Sequence, residues 1–282
     1  RRLADLGDVE RWEQAAPEAQ DFVVITVTRL LGPTFEHLKT RSHKAGGRGH
    51  RVARLRHRPS GVELQLIPGG LFWMGSDPGA GAVRINEQPR HEVLIPPLLL
   101  GRYPLLQEQW DRIGGDDART WDKPDLPIEG VTWDAARAWL EAAGDGLRLP
   151  SEAEWEYACR ARTESPFFWG ERADERYCHF GAAPDHWRTH PPSEHDAFSN
   201  AFGLVDMAGN VGEWCEDHYK GSYRGAPCDG SPRAERRGDL RVVRGGDSYN
   251  PLSHCRSAAR NLSARAARGA GIGFRVARDV PW

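Results

Sequence analysis

Short apolar runs broken by glycine and proline dominate the chain, and helical spacing is confined to a few segments. Residues 62–66 (VELQL) alternate apolar and polar as a half-buried strand does, and Pro68, Gly69 and Gly70 turn them toward 71–74, which predicts a hairpin. Thr132 precedes Ala135, Ala136, Trp139 and Leu140 at helical spacing, and Gly144 follows. That pattern predicts a capped helix over 133–143. Ser151 with Glu154 forms a capping box that opens a second helix through Trp155, Tyr157 and Ala158. Beyond Arg162 no further long helix is predicted, and Gly, Pro, Asp, Asn and Ser with isolated aromatics predict long ordered loops.

The first sixty residues have another texture. Residues 5–18 have helical character, while the apolar run 21–31 (DFVVITVTRLL) fits helix or strand equally well. Residues 40–58 (TRSHKAGGRGHRVARLRHR) contain no acidic residue and read as a solvated basic linker. The expected organisation is an accessory segment over 1–60 and one domain over 61–282.

At 282 residues, with 39% hydrophobic and 28% charged residues and a mean hydropathy of -0.64, the chain can bury a core and is not a disordered polymer. The apolar stretch 93–101 is short and broken by Pro96 and Pro97, so no membrane span is expected. A net charge of -2 and a pI near 6.6 speak against a nucleic-acid or anionic-lipid partner. The five cysteines are odd in number and include no CxxC pair, which argues for reduced thiols and a cytoplasmic setting. The chain begins at Arg1 without Met and reads as trimmed. Nothing in the sequence fixes the oligomeric state.

Several segments in order then resemble one family: IPGGLFWMGS at 67–76, LPIEGVTWDA at 126–135, LRLPSEAEWEYACR at 147–160, NAFGLVDMAGNVGEWCE at 200–216, Arg244-Gly245-Gly246 and Gly273-Phe274-Arg275. Together they resemble the formylglycine-generating-enzyme (sulfatase-modifying factor) family. The resemblance implies an α+β, C-type lectin fold with two helices, short antiparallel strands and long ordered loops. Oxidase members hold Cu(I) with two cysteines after the glycine pair, and soft thiolates suit that ion. Here those positions carry Asn250 and Cys255, so a copper pair is incomplete and a non-enzymatic chain is expected. Another branch of the family uses an iron site of histidines. His37, His43, His50 and His57 recur at roughly seven-residue spacing but lack nearby carboxylates, so iron is not expected either. Asp247, Ser248 and His254 lack the glycine elbow that presents a nucleophilic serine. The resemblance also places Asp206, Gly209, Val211 and Glu213 on the family's calcium loop, with hard oxygen donors suited to Ca²⁺.

Residues 245–274 contain no Lys, Glu, Gln, Met or Trp. These make up roughly 15% of the chain, so about four or five would be expected in that window. An AAC codon randomised at its adenines reaches every residue except those five. That is the signature of the variable proteins of diversity-generating retroelements, which resemble this family. A frame of Arg244, Gly245, Gly246, 255–258, Arg260, Arg268 and 272–275 would then carry outward variable positions. The expected contact residues are Asp247, Tyr249, Asn250, Leu252, Ser253 and His254, with Asn261, Leu262 and Ser263 as a second rim. The function expected is binding of a protein or other macromolecular ligand at this site. The competing expectation is an oxygen-dependent enzyme of the formylglycine-generating or sulfoxide-synthase type.

Overall fold

The structure is a computed structural model that describes residues 3–77, 84–116, 119–181, 187–235 and 238–281. In chain order its elements are α1 (Val9–Gln14), α2 (Pro17–Leu31), β1 (Phe35–Ala45), β2 (Arg48–His57), β3 (Glu63–Ile67), β4 (Gly70–Met74), β5 (His91–Ile95) and β6 (Leu98–Gly101). There follow α3 (Gln107–Ile113), α4 (Trp133–Ala143), β7 (Leu147–Arg148), α5 (Glu152–Arg160), β8 (Gly212–His218), β9 (Leu240–Arg244), β10 (Asn261–Ala264), β11 (Ile272–Phe274) and β12 (Ala277–Asp279). A six-stranded sheet runs β1-β2-β3-β6-β12-β7, a four-stranded one runs β10-β9-β8-β11, and β4 pairs with β5 alone. Among the described residues no helix is long and apolar enough to cross a membrane.

Both expected helices form where their caps place them. Thr132 Oγ1 accepts from the Ala135 N–H at 3.0 Å, and Ser151 and Glu154 close their reciprocal box at 3.1 and 2.8 Å. The hairpin expected between 62–66 and 71–74 does not form. β3 is taken instead by β2 and β6, which pair along both its edges, and the glycine turn delivers β4 to β5 in a separate sheet. The apolar run 21–31 is helical and lies within α2.

The division at residue 60 is also corrected. Residues 40–58 are the body of a β1–β2 hairpin turned at Gly46 and Gly47, and β2 continues the domain's own sheet through β3. Its arginines find acids outside the basic window: Arg54 and Arg56 reach Glu63 at 3.1 and 3.0 Å, and Arg51 reaches Asp21 at 2.7 Å. A charge run is solvated only when no partner folds onto it.

Core packing fixes the C-terminal segment. Phe274 is fully buried, set edge-on to Trp110 and Trp139 at 6.1 and 5.9 Å. Four arginines of the segment run inward onto buried carboxylates. Arg256 forks onto Glu87 at 2.6 and 2.9 Å, Arg260 onto Glu152 at 2.6 and 2.8 Å, and Arg275 onto Glu213 at 2.8 and 3.0 Å, while Arg244 bonds Glu156. Two of those acids stand on α5. Burial alone would raise the Glu156 carboxyl, but Arg160 and Arg244 outweigh it and hold the group below its usual range.

Candidate functional site

β9 ends at Arg244, and Gly245 and Gly246 follow with φ of 93° and 68°, in the left-handed region. A Cβ on Gly246 would stand 2.8 Å from the Cys255 sulfur, so glycine there lets the returning chain pack closely. The loop then rises to the surface, turns through a short 3-10 segment at Leu252–His254, sinks at Cys255, and re-emerges as β10 along the edge of β9.

Most expected contact residues face outward. Tyr249 is 37% and Leu262 45% exposed, Ser253 is exposed, and Asn250, Leu252, His254, Asn261 and Ser263 are half-buried. The expected frame residues 255–258, Arg260 and 273–275 are buried. Ile272 of the expected frame is half-buried, and two further positions depart from the pattern. Asp247 is not an outward charge: it is buried, and its carboxylate accepts the Tyr249 N–H at 2.9 Å, which holds the turn. Burial raises its carboxyl above the ordinary range against those turn hydrogen bonds. Arg268, expected in the frame, is exposed and pairs with Asp116 at the rim.

Asp247, Asn250, Asn261 and Leu262 line one cleft of about 390 Å³, with Arg260, Asn86 and Tyr219 in its walls. Asn86 and Tyr219 were not foreseen, since they come from distant loops; the Asn86 amide donates to the Tyr219 hydroxyl at 3.1 Å. Tyr249, Leu252, Ser253, His254 and Ser263 stand outside that lining. His254 Nδ1 meets Asn261 Oδ1 at 2.8 Å, tying the two rims together, so no relay to Ser248 forms.

Cys255 is not the isolated thiol expected from counting. Cys178 neighbours it, both are buried, and burial first, then Cys255, push the Cys178 thiol well above its ordinary value. The two are far apart in sequence, so no spacing rule could pair them.

On the loop expected to hold calcium, both acids have protein partners. Both Glu213 oxygens are engaged, by the Arg275 guanidinium and by the Trp155 indole N–H at 2.7 Å. Asp206 stands among nitrogen atoms: Asn210 Nδ2 donates at 2.8 Å, His195 Nδ1 lies at 3.1 Å and His190 Nε2 at 3.6 Å. Val211 is fully buried, and a Cβ on Gly209 would collide with the His179 carbonyl at 2.1 Å. One acid of the loop is thus ion-paired and the other is set among imidazoles. The four early histidines do not gather: His43 faces His50 across the β1–β2 hairpin, His50 pairs with Glu13, and His57 lies between Ser60 and Asp145.

The chain is similar to the serine/threonine-protein kinase pkn1 of Chlamydia caviae (31% identical, over 79% of this chain and 39% of that one). It is similar to a formylglycine-generating enzyme of Thermomonospora curvata (33%, 77% and 93%) and a hercynine oxygenase of Mycolicibacterium smegmatis (29%, 76% and 61%). It spans only 39% of that kinase and 58% of a formylglycine-generating enzyme of Streptomyces coelicolor. Among solved structures it resembles PvdO from Pseudomonas aeruginosa (TM-score 0.69, 30% identical, 78% of this chain and 95% of that one). Treponema denticola variable protein 1 shares the fold (TM-score 0.68, 20% identical, 87% and 99%). The expectation of a non-enzymatic chain is overturned by these relatives, which carry enzyme names and match over three quarters of this chain. Replacement of one thiolate position by Asn250 does not by itself take a chain out of a family of enzymes. Residues 51–280 match the sulfatase-modifying factor enzyme 1-like domain, and the chain belongs to that family.

Proposed function

We propose that this chain binds a macromolecular ligand, a protein surface above all, at the cleft and rims formed by residues 247–263. The observation that carries the reading is the segregation along the C-terminal segment. Side chains that hold the fold (Arg244, Arg256, Arg260, Phe274 and Arg275) are buried, while Tyr249, Asn250, Ser253, His254 and Leu262 reach solvent from a fixed backbone. Such a surface can change its side chains without losing its shape, as loops on a rigid scaffold do. The fold shared with a variable protein and the missing five residue types support the same reading.

Sequencing the locus tests it. A near-copy of the coding segment for 245–274, differing only at adenines and accompanied by a reverse transcriptase, is the expected result. A locus without either, or isolates that differ as often at frame positions as at outward ones, contradicts the proposal.

The Cys178–Cys255 contact favours a second reading, oxidative chemistry on a Cu(I) thiolate site. Stoichiometric Cu(I) binding lost in both Cys178→Ser and Cys255→Ser would support that reading over the first.

A further inference from the structure

Between β8 and the short 3-10 helix Pro192–Phe198, three side chains converge that neither the cleft nor the thiol pair uses. The metal-capable atoms of His190, His195 and Asp206 all lie within 4.8 Å of one another. Asp206 is fully buried as a side chain, whereas His190 and His195 remain 11% and 20% accessible, so the group has a solvent side.

The hydrogen bonding leaves one atom unexplained. His190 Nδ1 is 3.1 Å from the Pro191 carbonyl, which can only accept, so Nδ1 carries a proton, and in the neutral tautomer that fits this bond Nε2 carries a lone pair. That Nε2 is buried, has no hydrogen-bond partner, and points across 3.6 Å at an Asp206 oxygen that is itself an acceptor. In that tautomer two lone pairs face each other across the gap. Ligands at about 2.0 to 2.2 Å around a tetrahedral ion stand about 3.4 Å apart, so the gap has the size a small divalent ion would fill. The shell behind these atoms is built. The Pro191 carbonyl fixes the His190 tautomer. Asn210 holds Asp206 through Nδ2 and clamps the His190 backbone in both directions, at 3.1 and 3.0 Å.

We propose that His190 Nε2, His195 Nδ1 and the Asp206 carboxylate form a binding site for one divalent first-row transition ion, with its remaining coordination positions open to solvent. Two imidazoles and one carboxylate suit zinc or ferrous iron, whereas calcium would require six to eight oxygens. On binding, His195 gives up its hydrogen bond to Asp206 and carries its proton on Nε2, so both rings bind as neutral ligands. The site also communicates with the cleft loop: Asn210, which holds Asp206 and His190 by its side chain, accepts the Ser248 N–H on its carbonyl at 3.1 Å.

The test uses the untagged full chain, freed of metal with a chelator and titrated with Co(II). The expected result is one equivalent of a visible d–d band lacking a thiolate charge-transfer feature, displaced by one equivalent of Zn(II) and untouched by millimolar Ca(II). His195→Ala, a partly exposed position, should keep the wild-type melting temperature and weaken Co(II) binding at least about tenfold, and Asp206→Asn should do the same if it folds. Absence of the band, displacement by Ca(II), or unchanged affinity in a folded His195→Ala variant overturns the proposal.

Discussion

Arg275 forks onto both oxygens of Glu213 at 2.8 and 3.0 Å, and this buried pair joins the end of the C-terminal segment to β8. The same guanidinium donates to the carbonyls of Gly101, Arg102 and Val205 at 2.7 to 2.9 Å, so one side chain ties three stretches of chain together. A buried pair is costly to break from one side, because the survivor is left charged and unpaired. Arg275→Ala should therefore lose about 3 to 5 kcal/mol in urea unfolding. Adding Glu213→Gln should restore part of that loss, since glutamine can still accept from Trp155. Strict additivity of the two changes would show that they do not act as a pair.

Asp217 gives the fold a pH dependence of defined sign. Burial first, then the negative charge of Glu152, raise its carboxyl to about 7, and the backbone N–H groups of Arg233 and Glu152, at 2.8 and 2.7 Å, only partly offset this. A group whose pKa is higher folded than unfolded stabilises most when protonated in both states. Its contribution is whole below about pH 4, the ordinary carboxylate range, and is lost as pH rises through about 7. Unfolding free energies measured from pH 4 to pH 8 should fall more steeply in the wild type than in Asp217→Asn. Parallel curves would contradict the assignment.

Thiol reactivity should follow burial. Cys228 is exposed, whereas Cys159, Cys178, Cys215 and Cys255 are buried, and burial pushes the Cys159 thiol up to about 12. Only the thiolate is nucleophilic. Iodoacetamide at pH 8 should add one group to the native chain, at Cys228, and five after denaturation. Fast labelling of Cys178 or Cys255 in the native protein would mean that their pocket opens.

What the sequence disclosed was local. Thr132 and Ser151 marked α4 and α5 because a cap and its partner lie within one turn, and the ordered segments from 67 to 275 carried the family and its fold. What it hid was long-range. The basic window 40–58 looked like a linker because Glu63, Glu36 and Asp21, which neutralise its arginines, stand outside it. The glycine turn after β3 suggested a hairpin because nothing local reveals that β6 competes for the same edge. In the site, the alternation of buried frame and outward positions was legible, but Asn86, Tyr219 and Cys178 enter from remote loops. His190 and His195, five residues apart and well before Asp206, match no common ligand spacing, and only the fold brings them together.

The division between a holding frame and a displayed surface is tested most directly by thermal and urea unfolding of two variants side by side. Tyr249, Asn250, Ser253 and His254 changed together to Ala should cost less than about 2 kcal/mol, since surface positions away from special features usually change stability by about 0.5 kcal/mol or less each. Phe274→Ala, which empties the space against Trp110 and Trp139, should cost about 3 to 5 kcal/mol. The account predicts that order. A quadruple variant as unstable as Phe274→Ala would place those four side chains in the framework and contradict it.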